Sequence, residues 1–91
     1  MGYISFAYGT KRSADHWNAD GGTDSLYRID GSRRGFGGIH PDAVESVSRH
    51  GSAFGFKLKG GCRVTLEFPA KQAMEDWVRR EVKPAVPWIN L

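Results

Sequence analysis

The stretch that decides the fold is "AFGFKLKGGCRVTLEFP", Ala53 to Pro69, which predicts a β-hairpin. Apolar side chains take every second position, as in strands that bury one face: Phe54, Phe56 and Leu58 precede the two glycines, and Cys62, Val64, Leu66 and Phe68 follow them. A two-residue turn at Gly60-Gly61 would set Leu58 opposite Arg63, and every apolar residue would then face a polar one. We therefore expect a three-residue loop, 59–61, built as a type I turn with Gly61 in the left-handed region.

This loop fixes which side chains share a face of the hairpin. The inner pairs become Leu58–Cys62, Phe56–Val64 and Phe54–Leu66. Lys57 and Arg63 then pair on the outer face, at a like-charge cost of about a few tenths of a kcal/mol. Lys59 lies at the tip of the loop.

Residues 69–83, "PAKQAMEDWVRREVK", predict one amphipathic helix. The apolar residues follow the i, i+3, i+4, i+7 spacing of a single helical face: Ala70, Ala73, Met74, Trp77, Val78 and Val82. Pro69 fits the first turn, and Pro84 ends the helix near Lys83. The polar side offers two i, i+4 ion pairs: Glu75–Arg79 and Asp76–Arg80. We expect the Trp77 side of this helix to cover the inner face of the hairpin.

The remaining segments complete a small, mainly β domain. Residues 3–8 predict a first strand, and residues 9–24 predict a long loop with one helical turn begun by Ser13 and an anchor at Trp17. The other expected elements are two short strands, 25–30 and 35–40, around a turn at 30–33, and then a helical turn or bulge that leads into a strand within 41–49. The expected class is α+β, with about six short, mainly antiparallel strands in a bent sheet, small sandwich or partial barrel, closed by the C-terminal helix.

Length and composition fit one domain, 1–91, without a disulfide. The net charge of +3 permits attraction to nucleic acid or anionic lipid without requiring either. The single cysteine, Cys62, falls at an inner strand position and is expected to be buried. One cysteine excludes an internal disulfide and a Cys-based zinc site, and no cofactor or metal is predicted. No secretory signal or long apolar run is visible, which makes the cytoplasm the default location.

One stretch runs from "SLYRID" through "IHPDAVESVSRHGSAFGFKLKGGCRVTLEFPAKQAMEDWVRREV", residues 25–82, about two thirds of the chain. It resembles the pleckstrin-homology-like fold, especially its small bacterial versions. Short strands, a hairpin and one closing helix with a Trp carry the likeness. The resemblance implies a bent β-sandwich with the helix at one end. Lipid-binding members carry basic residues on and between their first two strands, where this chain has Lys11, Arg12 and Arg28.

Two groups of side chains are candidates for binding. The first is a set of cations for an anion or a partner: Arg33, Arg34, Lys57, Lys59 and Arg63, with Arg49 as a further member. In "RRGFGG", 33–38, glycines would let a phosphate approach the backbone, but we favour a turn and a bulged strand with Phe36 in the core. A solvated, charged outer face likewise explains the hairpin cations.

The second group lies in the Pro-containing tail, 84–91, which cannot be helical throughout. Its apolar residues are expected to pack back on the domain or to lie at an interface with a partner or a second copy: Trp88, Ile89 and Leu91.

The other polar residues give weaker signals for chemistry. His16, His40 and His50 lie next to turn residues, and we expect them to be exposed and without a role. Asp15, Asp20, Asp24 and Asp30 lack the spacing of a calcium loop and are expected to serve turns and caps. The leading hypothesis is a non-enzymatic module that binds a protein partner, of the size common among inhibitors and accessory factors of phage and mobile elements. The alternatives are a binder of nucleic acid or acidic phospholipid, and a small nuclease.

Overall fold

Seven strands and a C-terminal helix make up the part of the chain that the computed structural model describes, residues 2–19 and 21–91. The strands are β1 Ile4–Tyr8, β2 Thr10–Trp17, β3 Thr23–Arg28, β4 Gly35–Ile39, β5 Val44–His50, β6 Ala53–Leu58 and β7 Arg63–Glu67. A 3-10 turn, Pro41–Ala43, precedes β5, and helix α1, Lys71–Trp77, continues as a π-helical segment, Val78–Val82.

Within these described residues the strands form two sheets. The larger sheet has the order β2-β3-β7-β6-β5, and β1 pairs with β4 in the smaller one. All neighbours are antiparallel except β3 and β7, which are parallel. The expected class is confirmed: a mainly antiparallel α+β fold with one C-terminal helix.

The β6–β7 hairpin has the expected register. Phe56 lies opposite Val64 and Phe54 opposite Leu66, and the backbone N–H of Leu58 donates to the carbonyl of Cys62 at 2.8 Å. The predicted turn type is wrong, because Gly60 has a φ of +93° as well as Gly61. A type I turn needs a negative φ at Gly60, so the turn is type II, and the glycine pair permits it.

The closing helix covers the inner face of this hairpin, as predicted. Trp77 is only 6% exposed, and its ring centroid lies 6.1 Å from that of Phe54 and 6.2 Å from that of Phe56. Met74, Val78 and Val82 are buried on the same side. These side chains join β1, β4 and the large sheet into one apolar core.

The start of the helix and its ion pairs differ from the predictions. Ala70 is extended and caps α1, so Pro69 lies outside the first turn. The predicted pairs Glu75–Arg79 and Asp76–Arg80 are replaced by others. Glu75 instead accepts two hydrogen bonds from Arg49 of β5, at 2.8 and 3.1 Å, because a bidentate guanidinium contact is stronger than a single exposed i, i+4 pair. Asp76 lies 3.4 Å from Arg79.

Strand β2 corrects the prediction of a loop over residues 9–24 with a helical turn at Ser13. Only Gly9 separates β1 from β2, so residues 4–17 form a long bent strand that pairs first with β4 and then with β3. The Gly9 N–H donates to the Arg28 carbonyl at 2.8 Å. Polar residues suit β2 because it is an edge strand held by backbone bonds. The predicted anchor, the Trp17 side chain, lies outside the described residues, which for 13–17 include the backbone alone.

The tips of two hairpins meet at the glycines. Asn18, in the β2–β3 turn, donates its side-chain amide to the Gly61 carbonyl and to the Asp24 carboxylate, both at 2.8 Å. Gly22 is buried, and a Cβ there would collide with the Gly61 backbone. Cys62 is half-buried rather than buried, because it lies next to this junction, 3.9 Å from the Thr23 hydroxyl.

The segment 41–49 contains both features expected of it. The 3-10 turn is followed by a bulge between Val44 and Ser46 at the start of β5. In the tail, Val86 is fully buried, and Ile89 and Leu91 are half-buried against the core.

Candidate functional site

The small β1–β4 sheet turns an aromatic side chain outward. On its inner face, Tyr8 lies opposite Gly35 and Phe6 opposite Gly37. A Cβ at either glycine would overlap the facing aromatic ring, so β1 supplies the rings that cover β4. Because neighbouring residues in a strand point to opposite faces, Phe36 points outward and is 65% exposed. The expectation that Phe36 lies in the core is therefore wrong.

The outer surface of this sheet, which we call the aromatic face, carries no charged side chain and is formed by Tyr3, Ser5, Ala7, Phe36 and Gly38. Ser5 lies opposite Gly38 and Ala7 opposite Phe36. Tyr3 is 63% exposed, lies against Gly38 and makes an edge contact with the ring of His40, at 5.4 Å between centroids. Small side chains thus separate an aromatic group at each end.

Cations and the helix border the Phe36 end of the aromatic face. The Arg33 guanidinium lies over the Phe36 ring, 5.2 Å from its centroid. A recess of about 290 Å³ separates these two residues from Arg80 and Glu81 on the π-helical segment. The Trp77 indole N–H donates to the Ser5 carbonyl at 3.1 Å, which fixes β1 to the helix.

The predicted cations fall into two separate groups. Arg33 and Arg34 precede β4, whereas the Lys59 N–H donates to the carbonyl of Ala43, beyond the other end of β4. A five-residue strand spans about 17 Å. Lys57 and Arg63 are paired on the outer face of the large sheet, so of the predicted cations only Arg33 and Arg34 lie near the start of β4.

Ion pairs lie on the outer face of the large sheet. The Lys57 ammonium lies 3.4 Å from Glu45, and the Arg28 guanidinium lies 3.3 Å from Glu67. Such exposed pairs contribute little stability, and they balance much of the positive charge. This pattern is typical of a solvated face.

The two histidines with described side chains, His40 and His50, are not brought together. The His40 Nδ1 accepts from the Asp42 N–H at 3.1 Å and caps the 3-10 turn, whereas His50 ends β5. The seven residues of β5 separate the two by about 20 Å. The His16 side chain lies outside the described residues, and the nuclease hypothesis stays a prediction.

Two of the four aspartates serve turns. Asp24 holds Asn18 at the junction of the hairpin tips. The Ser32 hydroxyl and N–H donate to Asp30 at 2.7 and 3.0 Å, and these bonds hold the pKa of Asp30 below its ordinary value. Asp20 and the side chain of Asp15 lie outside the described residues. Among the described side chains no cluster of three or more His, Cys, Asp or Glu could hold a metal ion.

The tail residues predicted to meet a partner differ in their exposure to solvent. Trp88 is 57% exposed, beside a recess of about 460 Å³ formed with Lys83 and the last residues of the chain. Ile89 and Leu91 instead contact the core, and the Leu91 carbonyl accepts from Arg49 at 3.3 Å. Trp88 is therefore a third exposed aromatic residue, outside the aromatic face.

Comparison with known proteins gives no relative to guide the interpretation. No protein-family model matches the chain, and no curated protein or solved structure matches it. The resemblance to the pleckstrin-homology-like fold therefore stays a prediction. No helix in the described part of the chain is long and apolar enough to cross a membrane.

Sequence reasoning named Arg33 and the glycine run but missed Tyr3, Ser5 and Ala7. The available signal was that aromatic and small residues alternate in "SFAY", 5–8, while glycines flank Phe36 in "GFGG", 35–38. If Phe6 and Tyr8 face the core, an antiparallel partner with glycines at alternate positions can accept their rings. That pairing points Phe36 outward.

Proposed function

We propose that this protein is a non-enzymatic binding module that acts by contact with a protein partner through the aromatic face. The supporting observation is that two of the three exposed large hydrophobic side chains of the described residues, Tyr3 and Phe36, lie on this one small sheet. Single exposed apolar residues are ordinary, but clustered ones mark interaction sites.

The chemistry of the face fits a protein contact. Aromatic and arginine side chains are enriched in interface cores and among the residues that carry most binding energy. Burial of Phe36 and Tyr3 would contribute about 1.5–3 kcal/mol each. Ser5, Ala7 and Gly38 leave the surface between them flat enough for a partner to approach the backbone. The stacked Arg33 supplies a cation at the rim, which favours a partner with an acidic group there.

The test is capture of a partner by single-residue variants. Phe36→Ser and Tyr3→Ser should lose a partner that the wild-type chain captures from its native host, and with the purified partner Phe36→Ser should weaken the Kd at least about 30-fold. Trp88→Ser is the matched control, because it removes an equally exposed aromatic residue from the tail. Ser48→Ala controls for the outer face of the large sheet.

Each other result argues against the aromatic face. If Trp88→Ser alone abolished capture of the partner, the contact would lie at the tail and not at the aromatic face. Capture of nucleic acid or lipid that falls steeply between low and physiological salt would favour the anion-binding alternative. A wild-type chain that captures nothing specific would contradict the proposal.

A further inference from the structure

Strand β4 has an open edge. It pairs with β1 on one side, and in the described residues no other strand, turn or side chain bonds to its backbone on the other side. Alternate N–H and C=O groups of an antiparallel strand point away from its partner. The unpaired edge of β4 therefore presents a row of donors and acceptors that can bind another strand.

Of the four sheet edges, the open edge of β4 is the least protected. The edge of β1 is held to the helix, where the Trp77 indole N–H donates to the Ser5 carbonyl, and the other two edges carry charges. Edge strand β2 carries Lys11 and Arg12, and edge strand β5 carries Glu45 and Arg49. Charged side chains on edges discourage pairing with other chains. The sequence of β4, "GFGGI", has no charged or polar side chain, so this edge is the one suited to pairing.

We infer that a second copy of the chain pairs with β4, antiparallel and about a two-fold axis at Gly37. The central position of Gly37 lets all five residues of β4 pair, with Phe36 of one copy opposite Gly38 of the other. Each Phe36 ring would cover a glycine of the other copy, as Phe6 covers Gly37 within one chain. Such self-complementary pairing is the usual form of a symmetric dimer.

The charges that flank β4 fit the same pairing. Arg33 and Arg34 precede the strand, and Asp42 follows it with a side chain that is 76% exposed. Antiparallel pairing about Gly37 brings the arginine end of one copy to the Asp42 end of the other, and symmetry repeats this contact. A parallel arrangement would place like charges together. Opposite charges therefore favour the two-fold register.

The dimer goes beyond the proposed function, because it needs no other protein. It joins the two small sheets into one sheet of four strands and makes their aromatic faces continuous. A partner would then meet two copies of Tyr3 and Phe36 instead of one. Asp42 lies outside the aromatic face, so a monomeric Asp42→Arg variant that still captures the partner would separate the two proposals.

The first test is the mass of the chain by sedimentation equilibrium from about 1 μM to 1 mM, a range that covers ordinary dimer affinities. Wild type should approach twice the mass of one chain. Gly38→Lys should raise the dimer Kd at least about tenfold, because the lysine would face Phe36 of the other copy. A Cβ at Gly38 meets Tyr3 at ordinary distances of 3.5 Å or more, so the variant should fold. Ser48→Lys, on the exposed β5 edge, is the matched control and should leave the mass unchanged.

A charge reversal gives a second, independent test. Asp42→Arg should weaken the dimer, and adding Arg33→Asp to it should restore the wild-type mass. A wild-type chain that stays monomeric at 1 mM would overturn the inference. So would a dimer that Gly38→Lys leaves intact, or one that Ser48→Lys disrupts equally. If Gly38→Lys fails to fold, the charge reversal decides: a double variant, Asp42→Arg with Arg33→Asp, that does not recover the dimer would overturn the inference.

Discussion

The β6–β7 hairpin and the β1–β4 pair each bury one face, but they fill it differently. In the hairpin both strands direct apolar side chains inward, and Phe56 meets Val64. In the smaller sheet β1 supplies both rings, Phe6 and Tyr8, while β4 supplies glycines. A strand can therefore have its largest side chain on the solvent face when its partner fills the core for it.

The largest expected effect is the difference in stability loss between substitutions of Phe56 on β6 and of Phe36 on β4. Phe56→Ala should lower the free energy of unfolding by about 3–5 kcal/mol, because it opens a cavity in a packed core. At concentrations where the chain is monomeric, Phe36→Ala should change it by less than about 1 kcal/mol, because it removes little more than the contact with Arg33. Urea unfolding of the two variants measures both. A large loss with Phe36→Ala would place that ring in the core.

The next effect tests the glycines beneath the β1 rings. Gly37→Ala should destabilise the protein by about 1–3 kcal/mol, because its Cβ would overlap the Phe6 ring. Gly38→Ala is the control, since its Cβ has only ordinary contacts with Tyr3. Equal unfolding midpoints for the two variants would show that no ring lies over Gly37.

A third prediction distinguishes two reasons for which a position requires glycine: a neighbour that leaves no room for a Cβ, and a positive φ. Gly60 has open space around it but a φ of +93°, so Gly60→Ala should cost about 1–2 kcal/mol. Gly60→Asn should cost less, because Asn tolerates a positive φ. At position 37 the order should reverse, with Asn worse than Ala, because Asn is larger. Unfolding of all four variants checks this, and the same order at both positions would contradict it.

The smallest effect concerns residues 29–34, the loop between β3 and β4. Ser32→Ala removes one donor to Asp30, so the pKa of Asp30 should rise toward the ordinary value of about 3.9. NMR titration of the carboxyl group measures it. In wild type the lowered pKa means that this contribution to stability is present at neutral pH and is lost as the pH falls through the folded pKa. An unchanged pKa in Ser32→Ala would contradict the turn described for Asp30.

The hairpin and the helix could be predicted because their signals are local. The turn length decides the register of residues 53–68, and the spacing of Met74, Trp77 and Val78 decides the buried face of the helix. Strand β2 could not be predicted in this way. Its polar residues predict a loop, whereas the backbone hydrogen bonds that make it a strand come from β3, on the other side of a turn.

The site was only partly predictable for the same reason. "RRGFGG" predicts a turn and a bulged strand, but the direction of Phe36 depends on Phe6 and Tyr8, which are far away in the sequence. The sequence gives the cations as one candidate set because positions in a hairpin and a loop do not reveal the distance between them. In the folded chain, β4 separates Arg33 from Lys59.

The most direct test of the account is an NMR measurement of the surroundings of Gly37 and Phe36. The account predicts nuclear Overhauser contacts between the Gly37 Hα protons and the Phe6 ring, with an upfield Hα shift from the ring current. At concentrations where the chain is monomeric, the Phe36 ring should show no contact with the buried Met74, and a soluble paramagnetic agent should broaden it. Contacts between Phe36 and Met74, with Phe6 accessible to the agent, would contradict the aromatic face and the proposals that rest on it.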